Sequence, residues 1–255
     1  MNILINLSMS SILYFKIKFS YINGMKRIYT THLPQPGTWI YEGPFEHYIK
    51  NVLRCHEGDL FVFFDGSSNV NATLIKLGKQ QIIFDVGVAK TSQIHNTGIG
   101  LALGIIKPSN MDWVIQKATE LGCDALYPLI TERTQGHFYA KAKQTHWHKT
   151  MIQACMQSGR DMLMDIHTPQ PLHKWLSHQD LPIVYFDPRG TQHALALQGQ
   201  HQLLIGPEGG FSAEEDRLIL EHHAKQVRFG QHILRSETAA VAGIAYLLTQ
   251  LGTTS

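Results

Sequence analysis

Three stretches of this chain combine residue types and spacings suited to chemistry. The first is Leu203-Leu204-Ile205-Gly206-Pro207-Glu208-Gly209-Gly210-Phe211-Ser212. An apolar run enters a glycine-rich turn, and Ser212 with Glu215 three residues on forms a capping-box signature for a helix. In open α/β sheets, ligands bind outside the carboxyl ends of the strands. Gly206, Gly209 and Gly210 allow backbone angles and close approaches that side chains forbid, so backbone groups there could grip a nucleoside edge. A tight strand–helix turn with no ligand explains the same residues equally well. The second stretch is Phe229-Gly230-Gln231-His232-Ile233-Leu234-Arg235-Ser236-Glu237. Ser236 suits a helix cap and Glu237 the positive helix end. Arg235 has no such explanation, and a loop arginine suits a phosphate or a developing oxyanion. The third is Gln157-Ser158-Gly159-Arg160, where Ser158-Gly159 stops a helix and Arg160 points either to solvent or to a ligand cleft.

Other chemistries lack their residues. No GxGxxG, Gly-Lys-Ser/Thr, HExxH or GxSxG occurs, which argues against a dinucleotide fold, a nucleotide hydrolase, a zinc peptidase and a serine nucleophile elbow. His146 with His148 and His222 with His223 are not spaced to share a helix face, so no metal is expected. Cys55, Cys123 and Cys155 are far apart, which fits a reducing cytoplasm better than a disulfide scaffold.

Two domains are expected to position these residues. Short strands and turns from about Met25 to residue 96 predict a small β-barrel or sandwich: Asp59–Phe64, a turn at Asp65-Gly66-Ser67-Ser68, then Val70–Lys76 and Gln81–Ala89. Phe45–Leu53 reads as one short helix, and Thr91–Gly98 as a linker. Residues 97–255 alternate strands and helices, which predicts an α/β layer fold. Its strands are read at Gly100–Ile106, Ala125–Ile130, Ile183–Phe186, Gln202–Ile205 and Val227–Phe229. Helices are read at Met111–Leu121, with Gly122 as its stop, at Thr145–Ser158, after Ser212, and at Glu237–Leu248. The last is apolar nearly all round, so buried or at an interface.

The 255 residues are 44% hydrophobic and 16% charged, enough for a packed core. Lys and Arg number 22 against 20 acids. Residues 1–24 hold Lys16 and Lys18 and no acid, so the remainder is neutral and any RNA surface must be a local patch. Residues 1–24 show no clean periodicity, and their Asn, Ile, Phe, Tyr and Lys are what AT-rich codons encode. This segment reads as a mis-called extension ahead of a start at Met25.

Taken together, the chain resembles the bacterial RsmE family, 16S rRNA uridine-N3 methyltransferases of the SPOUT superfamily. The residues that carry the resemblance are Met111–Gly122, Thr131-Glu132-Arg133, Ala154-Cys155 with Gln157–Arg160, Ile205–Phe211 and Ile233–Thr238, in that order, with Met25-Lys26-Arg27-Ile28-Tyr29 as a family-like opening. Two positions depart from the family pattern. Met156 stands where the family has Glu, and Asp161-Met162-Leu163-Met164 stands where it has a proline.

The resemblance implies a PUA-like β-barrel that helps bind RNA, at residues 25–96, and a SPOUT methyltransferase domain with a trefoil knot, at 97–255. It further implies a cytoplasmic homodimer acting on the small ribosomal subunit. S-adenosylmethionine would lie against Leu204, Ile205, Gly206, Pro207, Glu208, Gly209, Gly210, Phe229, Gly230, Ile233, Leu234 and Ser236. Arg235 first, and Arg160 second, would stabilise the charge left when uracil N3 loses its proton. Glu237 or Glu208 would accept that proton, helix capping being the equal alternative for Glu237. Arg27, Lys50 and Arg54 would contact phosphates, which positions RNA without reading its sequence. A methyltransferase for a different RNA site, or a non-catalytic RNA-binding assembly factor signalled by Met156, remain as alternatives. Mass spectrometry of the native N-terminus is expected to find the chain starting at Met25; a start at Met1 or Asn2 overturns that expectation.

Overall fold

The structure, a computed structural model, describes residues 25–43, 45–51, 53–78, 81–92, 96–134, 141–190 and 197–252. The reading of residues 1–24 lies outside them, as does the 93–95 part of the linker. Two compact units result, Met1–Ser92 and Gln93–Ser255.

The described part of the first unit contains β1 (Lys26–Tyr29), β2 (Gly37–Ile40), α1 (Glu46–Asn51), β3 (Leu60–Phe64), β4 (Ser68–Leu77), β5 (Ile82–Val86) and β6 (Lys90–Thr91). They form a six-stranded sheet in the order β1-β3-β4-β5-β2, with β6 on β4. β1 runs parallel to β3, and the other pairings are antiparallel. The expected turn joins β3 to β4. There Asp65 Oδ1 accepts the Ser67 and Ser68 N–H groups, and Gly66 takes φ +99°. Phe61, Phe63 and Phe84 meet in the core, with the Phe61 and Phe84 rings 4.9 Å apart edge to face. Sequence pattern alone missed β1 and β2, since four-residue strands offer little alternation to read.

One buried charge lies beside that core. Lys26 is 5% exposed, and its Nζ donates to Asp59 Oδ2 at 2.5 Å. The same oxygen accepts the His56 N–H at 2.8 Å. Partial burial pushes the Asp59 carboxyl up, but Lys26 and His56 outweigh it and hold it below the usual carboxylate range.

The second unit contains β7 (Ile99–Gly104), α2 (Pro108–Glu120), β8 (Ala125–Ile130), α3 (Lys141–Ser158), β9 (Asp165–Ile166), β10 (Gln170–Pro171), α4 (Leu172–Leu176), β11 (Ile183–Phe186), β12 (His201–Ile205), α5 (Ala213–Glu221), β13 (Lys225–Val227) and α6 (Ser236–Gly252). Its seven-stranded sheet runs β10-β8-β7-β12-β11-β13, with β9 on β8, and every pairing is parallel. Parallel strands need crossovers, and the helices cover both faces. Leu204 faces Trp175 and Leu176 of α4 and Ile219 of α5. Its neighbour Leu203 points the other way, to α6, where a Cβ on Gly243 would lie 2.7 Å from the Leu203 side chain.

Helix α2 buries the expected Met111, Val114, Ile115 and Ala118. It starts three residues earlier than the periodicity suggested, because Pro108 fits its first turn. The last strand stops at Val227, leaving Phe229 in the following loop. Helix α4 was missed, since a five-residue helix is too short to show its period.

The depressed Asp59 carboxyl contributes stability that is present above the unfolded value, about 3.9, and is lost as pH falls through the folded one. Asp59→Asn is expected to lower Tm at pH 7, and the gap to wild type is expected to close only below about pH 4. Thermal scans across that range check it, and a constant gap would contradict it.

Candidate functional site

All strands of the second sheet point the same way, so the loops after β7, β8, β11, β12 and β13 emerge at one edge. The glycine-rich segment leaves β12 there. Its path requires a glycine in the neighbouring strand: a Cβ on Gly104, at the end of β7, would lie 2.4 Å from Pro207 Cδ and 2.6 Å from Pro207 N. The turn itself closes with the Gly210 N–H on Pro207 O at 2.8 Å and Gly210 at φ +68°.

Groups from other loops then fix the segment. The Lys107 N–H, just after β7, donates to Glu208 Oε1 at 3.0 Å. Arg133, just after β8, donates from Nη1 to Gly209 O at 3.0 Å. Ser212 and Glu215 form the predicted capping box at the start of α5. The same Glu215 carboxylate accepts the Glu132 N–H at 2.8 Å, so one residue caps a helix and holds a neighbouring loop.

The second loop follows β13. Gly230 has φ +73°, and the Arg228 side chain donates to Gly230 O and Gln231 O at 3.1 and 3.3 Å. The Phe229 ring lies on Phe186 at 5.8 Å and against Tyr246 of α6. Ile233 is 81% exposed, and Leu234 is half-buried. The Ala239 N–H donates to Arg235 O, so Arg235 occupies the cap position of α6 and Ser236 falls in its first turn, one place later than the capping reading had it. Arg235 is exposed, and among the described residues its guanidinium has no hydrogen bond or ion pair. Glu237 Oε2 is buried with no hydrogen-bond partner. Leu204, Ile205 and Gly206–Gly210 thus come to the same sheet edge as Phe229–Ser236.

Arg160 does not join them. Its Nη1 donates to Thr119 O at 3.2 Å and Cys123 O at 2.8 Å, and its Nε to Met162 O at 2.6 Å. Thr119 and Cys123 precede β8, so Arg160 sits at the opposite edge of the sheet. The six residues of β8 separate the two edges by roughly 17 Å. Arg160 therefore locks the end of α3 onto the end of α2, and in the structure it points neither to open solvent nor to the loops at the other edge, as the expectation of a second charge-stabilising arginine required. Met156, one turn earlier on α3, is buried and apolar.

Among the basic residues of the first unit, the Arg27 guanidinium lies over the Phe64 ring at 4.9 Å. Lys50 pairs with Glu46 at 2.5 Å. Arg54 is exposed at φ +47° with no side-chain hydrogen bond or ion pair among the described residues. Sequence reasoning gave no role to Arg133, Arg228 or Gly104. Arg133 belonged to a motif, but its target carbonyl is 76 residues away and leaves no local trace.

Comparison with known proteins follows the same division. An RNA methyltransferase domain family matches residues 94–248, and an RNA methyltransferase PUA domain family matches residues 47–87. The chain is 30% identical to ribosomal RNA small subunit methyltransferase E of Buchnera aphidicola from Acyrthosiphon pisum, over 81% of this chain and 85% of that protein. A similar structure is that of a Legionella pneumophila methyltransferase with bound SAM, at 30% identity and TM-score 0.78, covering 88% of this chain and 97% of that one. Another is the Neisseria gonorrhoeae ribosomal RNA small subunit methyltransferase E bound to S-adenosyl methionine, at 26% identity and TM-score 0.80, covering 89% and 98%.

Gly104→Ala is expected to lower the unfolding free energy by about 1–3 kcal/mol, because its clash is with backbone that cannot rotate away. Denaturant melts check the magnitude. Faster amide exchange at residues 206–210 would locate the damage, and an unchanged midpoint would contradict the packing argument.

Proposed function

From the premise that the chain belongs to the ribosomal RNA small subunit methyltransferase E family, with an α/β RNA methyltransferase domain and an N-terminal PUA-like domain, we propose how its residues divide the work. The protein is an S-adenosylmethionine-dependent RNA methyltransferase acting on small-subunit ribosomal RNA. The finer reading is transfer to N3 of one uridine of 16S rRNA, on the assembled small subunit, in the cytoplasm.

The cofactor cleft is assigned to the loops at Leu204–Gly210 and Phe229–Ser236. Their shape fits such a ligand: Cβ positions at Gly210 and Gly230 face open space. Exposed Phe229 and Ile233 offer apolar surface in the second loop. Backbone groups of Leu204, Gly206, Gly230, Ile233 and Leu234 frame the adenosyl part. When bound, S-adenosylmethionine supplies a methyl group already activated by its sulfonium.

The protein's own contribution is alignment and charge. Uracil N3 must lose a proton, and the resulting negative charge spreads onto two carbonyl oxygens. Arg235 is assigned to balance it, and its support is that it is a cation at this sheet edge committed to no other described group. That uncommitted guanidinium is the observation that carries the mechanism. Glu237 is the better proton acceptor, because its buried Oε2 has no partner. Glu208 already receives the Lys107 N–H. Arg160 is spent on carbonyls at the far edge of the sheet, and Met156 is buried near the end of α3 that leads to it, so within one protomer the departure from the family glutamate lies away from this cleft. That placement favours the enzyme over a non-catalytic assembly factor.

Two further features belong to this reading. Helix α6 follows β13 at the sheet margin yet packs on β12, β7 and α2. A Cβ on Gly190 would lie 2.8 Å from Val227 C, so the segment after β11 and the chain leaving β13 lie against each other. The return of α6 from that margin to the middle of the sheet supports a knotted crossing. Half-buried Val241, Ala242, Ala245 and Leu248 on α6 support a homodimer. Arg54, with its free charge, is the best placed of the first-unit residues to meet a phosphate.

Purified protein with labelled S-adenosylmethionine and small subunits lacking the modification is expected to form 3-methyluridine at one site, read by nucleoside mass spectrometry. Arg235→Ala is expected to lower kcat about 100-fold while retaining cofactor binding. A wild-type rate removes Arg235 from the mechanism, and a different modified nucleoside overturns the N3 assignment.

A further inference from the structure

A charged cluster at the end of β11 takes part in none of these steps. Asp187 is buried, and Arg189 grips its carboxylate with Nε on Oδ1 at 2.9 Å and Nη2 on Oδ2 at 2.7 Å. The same Nη2 reaches Asp216 Oδ2, in the first turn of α5, at 2.6 Å. Asp216 Oδ1 accepts the Tyr185 hydroxyl at 2.7 Å. Gln226 Nε2, on β13, donates to Asp187 Oδ2 at 2.5 Å, and the Asp187 N–H donates to Val227 O at 3.0 Å. Three elements are therefore tied through one guanidinium and one buried carboxylate.

The tie is continuous with the second cleft loop. Gly190 closes the Asp187 turn, its N–H on Asp187 O at 2.9 Å. At that point the turn presses on the backbone of β13's exit: a Cβ there would lie 2.8 Å from Val227 C and 2.9 Å from Arg228 N. Arg228 in turn folds the loop by donating to Gly230 O and Gln231 O. Moving Asp187 moves the end of β13, and with it the start of the segment that carries Arg235.

We propose that Arg189 is a positioning residue for methyl transfer: it clamps Asp187 against the end of β13 and so sets the placement of the Phe229–Ser236 loop. The proposal rests on the reading of that loop as part of the cofactor cleft. Arg189 acts through Asp187 and the backbone at 227–228. A purely structural role would lower Tm and leave the folded enzyme's binding and turnover unchanged. A positioning role alters cofactor affinity and rate below the melting range.

Full-length wild type, Arg189→Met, Arg189→Lys and Asp216→Asn are compared by calorimetry with S-adenosylmethionine, by single-turnover methylation of small subunits, and by amide exchange at residues 229–235 with and without cofactor. In wild type the cofactor is expected to slow exchange there. Arg189→Met is expected to lose most of that slowing and to bind about tenfold more weakly, with KM for the subunit unchanged. Arg189→Lys restores the charge without the planar fork and is expected to recover part of the loss. Asp216→Asn keeps the grip on Asp187 and is expected to fall between Arg189→Met and wild type.

No slowing in wild type overturns the cleft reading and this proposal with it. Slowing in wild type that Arg189→Met leaves intact, with wild-type affinity and rate, overturns this proposal alone. If Arg189→Met does not fold, wild-type affinity in both Arg189→Lys and Asp216→Asn overturns it.

Discussion

The site depends on the close approach of two parallel strands at their carboxyl ends. β7 pairs with β12 up to Leu103 and Ile205, and the next residue of each strand is a glycine, Gly104 and Gly206. Gly104 leaves space for Pro207 to cross the sheet edge. Were that space filled, the segment from Gly206 to Gly210 would have to leave the sheet along another path. Everything at that edge follows from the crossing. The Lys107 amide and the Arg133 guanidinium each satisfy a group of the crossing segment, and the Glu215 carboxylate ties the helix that follows it to the loop after β8. A loop held by bonds from separate elements loses little further freedom when it binds a ligand, which is what preorganisation means physically.

The arginines of the second unit divide by what their guanidinium groups have found. Arg160 meets three backbone carbonyls, Arg189 meets two carboxylates, Arg217 pairs with Glu214 and Glu221 of its own helix, and Arg133 and Arg228 each shape a turn. A guanidinium carries five donors, and in a packed domain it serves best where carbonyls converge. Arg235 has met none of these fates. Its main chain opens α6 by accepting the Ala239 N–H, while its side chain stays in solvent. The role proposed for Arg235 asks for a cation that no other group has claimed, on a main chain anchored by the helix start, so that the guanidinium is free to meet an incoming anion.

Near-neutral composition bears on the partner. A domain that binds nucleic acid through bulk charge carries excess base along one face. Here Lys26 is paired with Asp59 and Lys50 with Glu46, and Arg27 lies on an aromatic ring. Among the described residues of this unit that leaves Arg54, Lys76 and Lys90 as cations without an ion pair.

The sequence by itself determined the features whose causes lie within a few residues. The capping box at Ser212 and Glu215, the stop at Gly122 and the buried face Met111–Val114–Ile115–Ala118 are local interactions, and they stand where local pattern placed them. The alternating strands and helices of the second unit were legible for the same reason, since a parallel strand buried on both faces is an apolar run. Elements as brief as β9, β10 and α4 carry too little period to read. The tertiary structure alone decided which arginine is free and which is spent. Arg160 lies 41 residues from Thr119 and 37 from Cys123, and Arg189 lies 27 from Asp216. A hydrogen bond between residues that far apart depends on where the sheet brings them, and no pattern of neighbours records it.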